Sequence, residues 1–334
     1  MRKDDTNLTI QNLVEDRNST KTLFTAGPAS LLPENLTGLR PCFGRGDLDY
    51  DNVENRVLTT LKQMSGHAHI ARIQGSASLA LEISALNFLY GKVLIVDTGY
   101  YSDRLMWLTE STSRRMNKVT HIDSVAWQDV DDVAGAYDWI WACPTETSMG
   151  IKISIESLSK LAKRANSQLM LDATASIGLE SGHHLADVIA YSSCKGLFGL
   201  TGACFIAFNE MPEQEVDSFY LSLLNHLEKR MTGPYHAIAS LVDVLPKHAA
   251  IRESVTINKE RFMSKMKNRL TLPEGNQPLL CTHVNCNIVS DDPSVVLYRP
   301  RNNLAGSIVC HLGEIHKENG YQGENINKLR IEEV

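Results

Sequence analysis

Short apolar runs alternate with longer segments of helical periodicity along the chain, from about residue 53 onward. The run "KVLIVDTG" is almost unbroken in its apolar character, which is typical of a parallel strand that is buried on both faces. Similar short runs are "HIARIQG", "DWIWACP", "QLMLDATAS", "DVIAYSS" and "CFIAFNE". We predict a β-strand for each of them, because each is short and bounded by Gly, Pro or polar residues.

The segments between these runs have the period of a helix. "NVENRVLTTLKQMSG" places Val53, Val57, Leu58 and Leu61 on one side of a helix, and "SASLALEISALNFLYG" is a second helix that begins with small residues. "SIESLSKLAKRANS" is a third, amphipathic helix with Ser154 as its candidate N-cap. Strands that alternate with helices predict an α/β fold with a mainly parallel sheet and helices on both faces.

The alternation stops after about residue 215, where helical segments broken at Gly233–Pro234 are followed by short strands. We therefore expect a large domain over residues 22–240 and a small α+β domain over residues 241–334. Residues 1–21 are mostly polar and predict a flexible N-terminal arm. The segment "LFTAGPASLLPENL" mixes Gly and Pro with apolar residues, which indicates a loop that leads into the fold.

Composition excludes several classes of function. The net charge of −6 and the lack of a long basic run argue against nucleic acid and anionic membranes as partners. No apolar stretch approaches the roughly 20 residues that span a bilayer, and the N-terminus lacks the apolar core of a signal peptide. Seven cysteines without a CxxC pair indicate reduced thiols in a cytoplasm. We expect no metal site, because the histidines lack cysteine or carboxylate companions at ligand spacing.

Polar residues follow several of the predicted strands, at the edge where ligands bind in open parallel sheets. Gly75–Ser78 opens a helix with free N–H groups and two hydroxyls, which suits a phosphate, although small polar residues cap many helices. Tyr100 and Tyr101 are packing residues, or one of them lies against a planar ring. Thr147 belongs to a hydroxyl-rich turn that is either an ordinary cap or part of the site.

Two charged residues complete this set. Asp172 directly follows four apolar strand residues, where a carboxylate needs a salt bridge or a protonated ring nitrogen as its partner. Lys195 is either a solvated charge at a strand end or a partly desolvated amine that can form a Schiff base. A phosphate turn, an aromatic ring, a hydroxyl, an aspartate and a lysine at successive strand ends are together what pyridoxal 5′-phosphate requires.

The chain resembles a known family over roughly residues 22–316. Its segments "LFTAGPASL", "IQGSASLALE", "KVLIVDTGYYSDRL", "PTETSMGI", "LMLDATASIG", "SSCKGLFGLTG" and "RMTGPYHAI" are similar, in order and spacing, to motifs of the class V aminotransferases. These are fold-type I enzymes that depend on pyridoxal phosphate. The resemblance therefore implies this fold, this cofactor and a homodimer with shared active sites.

The resemblance also implies roles for individual residues. Lys195 would form the Schiff base, and Asp172 would pair with the pyridine nitrogen. The other matching positions are Ser76, Ala77 and Ser78 for the phosphate, Tyr101 (or Tyr100) for stacking on the ring, Thr147 for the ring's phenolic oxygen or a neighbouring position, Thr232 for the phosphate site of the other subunit, and Gly27 for the substrate side.

Three positions depart from the family pattern. Cys194 stands where the family has Asn or Gln before its lysine, and Ala77 replaces a glycine of the phosphate turn. In "SIVCHLGEI", Ile308 occupies the position of the arginine that binds the substrate's anionic group in the family. The remaining candidates for that role are Arg45, Arg299 and Arg301.

The function expected from these features is a ping-pong transamination. A small amine, such as an aminophosphonate or an amino acid, gives its amino group to a 2-oxo acid such as pyruvate. The alternatives are a lyase or desulfurase on the same fold, and a non-catalytic relative. Retention of both Asp172 and Lys195 argues against the last alternative.

Overall fold

The computed structural model describes residues 9–39, 44–301, 303–313, 315 and 324–332. The helices of these residues, α1 to α9 in chain order, are Ile10–Ser19, Glu34–Thr37, Leu48–Ser65, Ala77–Phe88, Tyr100–Met116, Ile155–Arg164, Leu223–Leu227, Tyr235–Ala239 and His248–Lys265. The strands, β1 to β15, are Thr22–Phe24, His69–Gln74, Gly91–Asp97, Val119–Ala126, Trp139–Ala142, Thr145–Glu146, Ile151–Lys152, Gln168–Asp172, Val188–Ser192, Ala203–Phe208, Cys281–Val284, Ile288–Val289, Val295–Leu297, Ser307–Cys310 and Arg330–Ile331.

A seven-stranded sheet with the strand order β2-β10-β9-β8-β5-β3-β4 forms the centre of the molecule. The strands from β9 to β4 are parallel, and β10 is antiparallel to both of its neighbours. The six strands predicted from apolar runs all belong to this sheet, which confirms the α/β fold. Because β9 and β10 are antiparallel neighbours, the short turn that holds Lys195 can join them without a crossover helix.

Helices cover both faces of this sheet. Leu94 and Val96 of β3 pack with side chains of α3 and α6, whereas Val93 and Ile95 pack with side chains of α4 and α5 on the other face. Successive side chains of a strand point to opposite faces, so a strand covered on both sides has no polar positions to alternate with. The continuous apolar runs of the sequence follow from this arrangement.

The edge strand β4 was not identified from the sequence. Its residues "VTHIDSVA" are a mixture of exposed and partly buried positions after a buried first residue, and within the described residues the strand pairs only with β3. An apolar-run criterion detects strands that are buried on both faces and misses a half-exposed strand of this kind.

The N-terminal segment contains a helix that the sequence analysis did not predict. We predicted a flexible arm over residues 1–21, but Ile10–Ser19 form helix α1. The Thr9 hydroxyl caps it by accepting a hydrogen bond from the Asn12 N–H group at 3.2 Å, and Val14 is buried against the protein. One buried residue in a polar helix gives little sequence signal. Residues 1–8 lie outside the described part of the chain.

The predicted small domain contains α9, which packs on the pair β11–β14, and a separate apolar cluster around Phe262. Leu241 and Leu245, just after the expected boundary, pack in the cluster that lies against the large sheet. The division at residue 240 stays a prediction.

In the described part of the chain, every helix falls short of the length or the apolar character that crossing a membrane requires.

Replacing the N-cap of α6 is expected to destabilise the fold. The Ser154 hydroxyl accepts a hydrogen bond from the Ser157 N–H group at 3.0 Å, as the sequence predicted. Ser154→Ala should lower the free energy of unfolding by about 1 kcal/mol, measured by urea denaturation. Ser157→Ala keeps the backbone donor and serves as the control. Equal losses in both variants would contradict the capping role.

A buried lysine is expected to make stability depend on pH. Lys259 donates hydrogen bonds to the carbonyls of Gln277 (2.7 Å) and Pro278 (3.0 Å), and burial lowers its pKa from 10.5 to about 8. Between these values the unfolded chain binds more protons than the native state, so the native state gains stability as pH rises.

The free energy of unfolding of the wild type, minus that of Lys259→Met, should therefore increase between pH 8 and pH 10. Urea denaturation at several pH values measures both terms. The methionine variant lacks the titrating amine. Because both proteins contain the other lysines, the contribution of those lysines cancels when the two free energies of unfolding are subtracted. A difference that stays constant across this interval would show that Lys259 keeps its proton in the folded protein.

Candidate active site

A cavity of about 660 Å³ lies at the carboxyl ends of β2, β5, β8 and β9. It collects residues that are far apart in the sequence but follow neighbouring strands. Of the residues predicted from the sequence, it contains Ser76, Ala77, Ser78, Tyr100, Tyr101, Thr147, Asp172, Cys194, Lys195 and Arg301.

Lys195 lies in the turn between β9 and β10, partly exposed, with its Nζ 5.6 Å from the centroid of the Tyr101 ring. The N-terminal loop packs against its aliphatic stem. A Cβ atom at Gly27 would come within 3.0 Å of the Lys195 Cγ, and the φ angle of Gly27 is +133°. Only glycine combines this backbone angle with such a close approach. The structure therefore places Gly27 against the stem of Lys195, while its expected role on the substrate side stays a prediction.

Hydrogen bonds within the turn hold the lysine in place. The backbone N–H of Phe198 donates to the Lys195 carbonyl at 2.9 Å, and that of Gly199 donates to the Ser193 carbonyl at 2.8 Å. The Ser193 hydroxyl donates to the Leu200 and Ala203 carbonyls. A further bond, from the Ala29 N–H to the Cys194 carbonyl at 2.7 Å, ties the turn to the N-terminal loop.

Asp172 ends β8 and is only 2% exposed. Its Oδ1 accepts hydrogen bonds from the Thr174 N–H group at 3.0 Å and from the Thr174 hydroxyl. Its Oδ2 accepts from Nη2 of Arg104 at 2.9 Å. Both oxygens thus have donors, which meets the requirement that a buried carboxylate be paired.

Arg104 is a site residue that the sequence analysis missed. It follows Tyr101 by three positions in α5, so the two side chains lie on the same side of the helix. Its guanidinium carbon is 4.9 Å from the centroid of the Tyr101 ring, and its Nη1 donates to the Ser78 hydroxyl at 3.1 Å. The available signal was its place in the segment "KVLIVDTGYYSDRL", where the arginine matches the family motif.

Glu146 is a second missed residue, and it fixes Tyr101 through the backbone. Its Oε2 accepts the Tyr101 N–H group at 2.9 Å, and its Oε1 accepts both the N–H and the hydroxyl of Ser148. Burial raises the pKa of the Glu146 carboxyl, while these hydrogen bonds act in the opposite direction. The Glu146 side chain therefore accepts a backbone N–H group from the first turn of α5, the turn that carries the Tyr101 ring.

The phosphate turn and two threonines supply polar groups to the cavity. Ser76 is the N-cap of α4, and its hydroxyl makes no capping hydrogen bond in the described part of the chain. Thr147, predicted from the sequence, is fully buried. Thr145 is 1% exposed, and its hydroxyl has no hydrogen-bond partner among the residues described. A polar cofactor with an anionic group fits such a set of donors.

The candidate arginines are placed differently from one another. Arg301 lines the cavity, and its Nη1 donates to the Tyr100 hydroxyl at 2.9 Å. Arg299 lies outside the cavity, in a separate groove along β13. Arg45 also lies outside it, in a charged pocket with Glu54 and Arg72. Of these three arginines, Arg301 is therefore the one that shares the cavity with Lys195.

Two other predicted positions also lie outside the cavity. Thr232 is exposed and away from it, so one chain does not test its expected role in the other subunit. Ile308 is buried in an apolar cluster with Leu280 and Leu312. The residue at the family's arginine position thus packs in the interior.

Two cysteines line the cavity. Burial raises the pKa of the Cys143 thiol well above its usual value, and the nearby carboxylates of Asp172 and Glu146 raise it further. Such a thiol is a poor nucleophile. Cys194 lies 3.7 Å from the Ser192 hydroxyl, measured from its sulfur. All cysteines in the described residues are free; Cys42 falls outside them.

Comparisons with known proteins find aminotransferases that are similar to this chain in sequence or in fold. No protein-family model matches the chain. A 2-aminoethylphosphonate–pyruvate transaminase of Pseudomonas aeruginosa is 26% identical over 253 residues, which are 68% of this chain and 67% of that protein. An uncharacterized aminotransferase of Helicobacter pylori is 22% identical over 230 residues, or 65% of this chain and 58% of that protein.

Solved structures share the fold. Pyridoxamine–pyruvate aminotransferase from Mesorhizobium loti superposes with a TM-score of 0.76 at 17% identity, covering 91% of this chain and 90% of that one. Alanine–glyoxylate aminotransferase from Nostoc sp. gives 0.75 at 17% identity, covering 91% and 93%. The resemblance predicted from the sequence motifs is confirmed: the chain has the fold-type I architecture of the pyridoxal-phosphate-dependent aminotransferases and is similar in sequence to the class V group.

Proposed function

We propose that this chain is a pyridoxal-phosphate-dependent aminotransferase that moves an amino group from a small amine to a 2-oxo acid such as pyruvate. One observation carries the proposal: Lys195, Asp172, Tyr101 and the phosphate turn share one cavity. These are the side chains that would hold the aldehyde, the ring nitrogen, the ring face and the phosphate. The cofactor, when bound, supplies an electron sink for the substrate carbon that bears the amino group.

Lys195 is the residue proposed to move protons. Its Nζ faces the Tyr101 ring and the interior of the cavity. An amine there takes a proton from the substrate carbon that bears the amino group and returns one later, as general base and then acid. Asp172 would face the ring nitrogen, and Thr174 and Arg104 hold its carboxylate in place by donating to it.

Other residues orient the reactants. Tyr101 offers an aromatic face that is fixed by the Glu146 bond to its backbone. Thr147 contributes a buried hydroxyl near the expected ring edge, and Gly27 leaves room beside Lys195. Ser76, Ala77 and Ser78 would hold the phosphate through backbone N–H groups and hydroxyls at the N-terminus of α4.

Arg301 is proposed as the group that binds the substrate's anion, in place of the family's arginine. It is the one member of the predicted trio that lines the cavity. Its guanidinium is permanently charged, and the Tyr100 hydroxyl accepts a hydrogen bond from its Nη1 at 2.9 Å. The transaminases similar in sequence carry 2-aminoethylphosphonate in their name. We therefore propose a small aminophosphonate, or an amino acid of similar size, as the amine donor.

A homodimer in the cytoplasm is proposed as the working form. Phe219, Tyr220 and Leu224 are exposed apolar residues, and the Tyr220 hydroxyl donates to the Gln74 carbonyl, just before the phosphate turn. A second copy over this face would cover them beside the cavity. Thr232 would then complete the phosphate site of the partner. Support for the compartment comes from the free cysteines of the described residues.

A lyase or desulfurase reaction is the alternative, because Ile308 replaces the expected arginine. A desulfurase needs a nucleophilic cysteine. The thiol of Cys143 is disfavoured for that role by burial, which raises its pKa. Transamination therefore has the stronger support.

Removing the lysine amine tests the reaction. The wild-type protein, supplied with pyridoxal phosphate, should become yellow and lose that colour when an amine donor is added. Lys195→Ala should show neither change and should transaminate at least ~100-fold more slowly. The exposed Lys160→Ala serves as the control. The same visible absorbance in Lys195→Ala as in the wild type would rule out the lysine assignment.

A matched pair of arginines tests the substrate anion site. Arg301→Ala should raise the KM for an anionic amine donor by ~10-fold or more, because a hydrogen bond to a charged group is lost. Arg299→Ala, two residues away but outside the cavity, should leave KM unchanged. Steady-state kinetics with 2-aminoethylphosphonate and with alanine measure the KM values of both variants. A rise in KM for Arg299→Ala alone would move the anion site to the other groove.

A further inference from the structure

Three cationic side chains line the cavity: Lys195, Arg104 and Arg301. Each has a different neighbour. The stem of Lys195 packs on Gly27, and Arg301 bonds to the Tyr100 hydroxyl. Among the residues that the structure describes, Arg104 is the one of these cations that contacts the phosphate turn.

The guanidinium of Arg104 bridges two parts of the cavity. Nη1 lies 3.1 Å from the Ser78 hydroxyl oxygen, and Nη2 lies 2.9 Å from Oδ2 of Asp172. Nε is buried and has no hydrogen-bond partner within the described residues. The group is planar and carries five N–H donors in a fixed fork, so it can serve two acceptors while a third donor remains available.

The charge of a phosphate monoester needs more than the turn provides. Such a group carries about 1.5 to 2 negative charges near neutral pH. The N-terminus of a helix such as α4 supplies roughly half a positive charge, and the hydroxyls of Ser76 and Ser78 are neutral. A guanidinium next to Ser78 supplies the missing cation and the hydrogen-bond geometry that phosphate oxygens favour.

A second observation marks the same cavity as a polar binding site. The Thr145 hydroxyl belongs to a lining residue that is 1% exposed, and it has no hydrogen-bond partner in the part of the chain described. A buried hydroxyl without a partner is costly unless a ligand or water satisfies it. The Thr145 hydroxyl is thus available to form a hydrogen bond with a ligand in the cavity.

We propose that Arg104 binds the phosphate monoester of the cofactor through the part of its guanidinium next to Ser78, while its other nitrogen holds Asp172. The assignment rests on the proposed function, because that function places a phosphate at Gly75–Ser78. It makes Arg104 the residue that distinguishes a phosphorylated cofactor from its unphosphorylated form. It would also link the phosphate site to Asp172, because the same guanidinium contacts both Ser78 and the aspartate.

The test compares ligands with and without the phosphate. Arg104→Met should weaken binding of pyridoxal phosphate by ~10- to 100-fold, while binding of pyridoxal changes less than ~3-fold. Absorbance and fluorescence titrations of the apoprotein measure both dissociation constants. Inorganic phosphate should raise the melting temperature of the wild-type apoprotein and have a much smaller effect on the variant.

The controls separate charge, folding and function. Arg104→Lys keeps the charge and should recover part of the phosphate discrimination. Arg115→Met removes a surface arginine of the same helix, paired with Glu82, and should change neither dissociation constant. Equal weakening of pyridoxal and pyridoxal phosphate would overturn the assignment and show that Arg104 acts only through Asp172. Phosphate discrimination in a wild type that never turns yellow would support Arg104 and overturn the proposed transamination instead.

Discussion

The buried carboxylate of Asp172 imposes the main constraint on this site. An unpaired charge at the end of a central strand would cost several kcal/mol, and the chain meets this cost with donors from two directions. Thr174 donates from the adjoining loop, and Arg104 donates from α5. The second contact ties the helix that carries Tyr101 to the strand that carries the aspartate. The positions of the aromatic ring and of the carboxylate therefore depend on each other.

The sheet topology places the lysine against this pair. Because β10 runs antiparallel to β9, the chain turns back at the carboxyl edge instead of leaving through a helix. Lys195 lies in that turn, one strand away from Asp172, and the N-terminal loop closes over its stem at Gly27. A distant segment of the sequence thus packs beside the Lys195 side chain.

The sequence predicted most of the central sheet and most of the side chains that line the candidate cavity, because both follow from local patterns. Strands buried on both faces give apolar runs, and polar residues at their ends share one edge. The half-exposed strand β4 and the polar helix α1 lack such a pattern. Arg104 and Glu146 were missed because their importance lies in partners that are distant in sequence. Likewise, spacing could not separate Arg299 from Arg301, since cavity and groove exist only in three dimensions.

The contact between Glu146 and Tyr101 has a consequence for how the cofactor pocket can vary. The carboxylate holds the backbone N–H of residue 101 and not its side chain. This hydrogen bond does not depend on which side chain residue 101 carries. Within this framework, exchange of one aromatic residue for another changes the electronic character of the stacked face while the helix stays anchored. The backbone contact to Glu146 and the choice of side chain at position 101 are therefore separate features, so the side chain can change while the contact is kept.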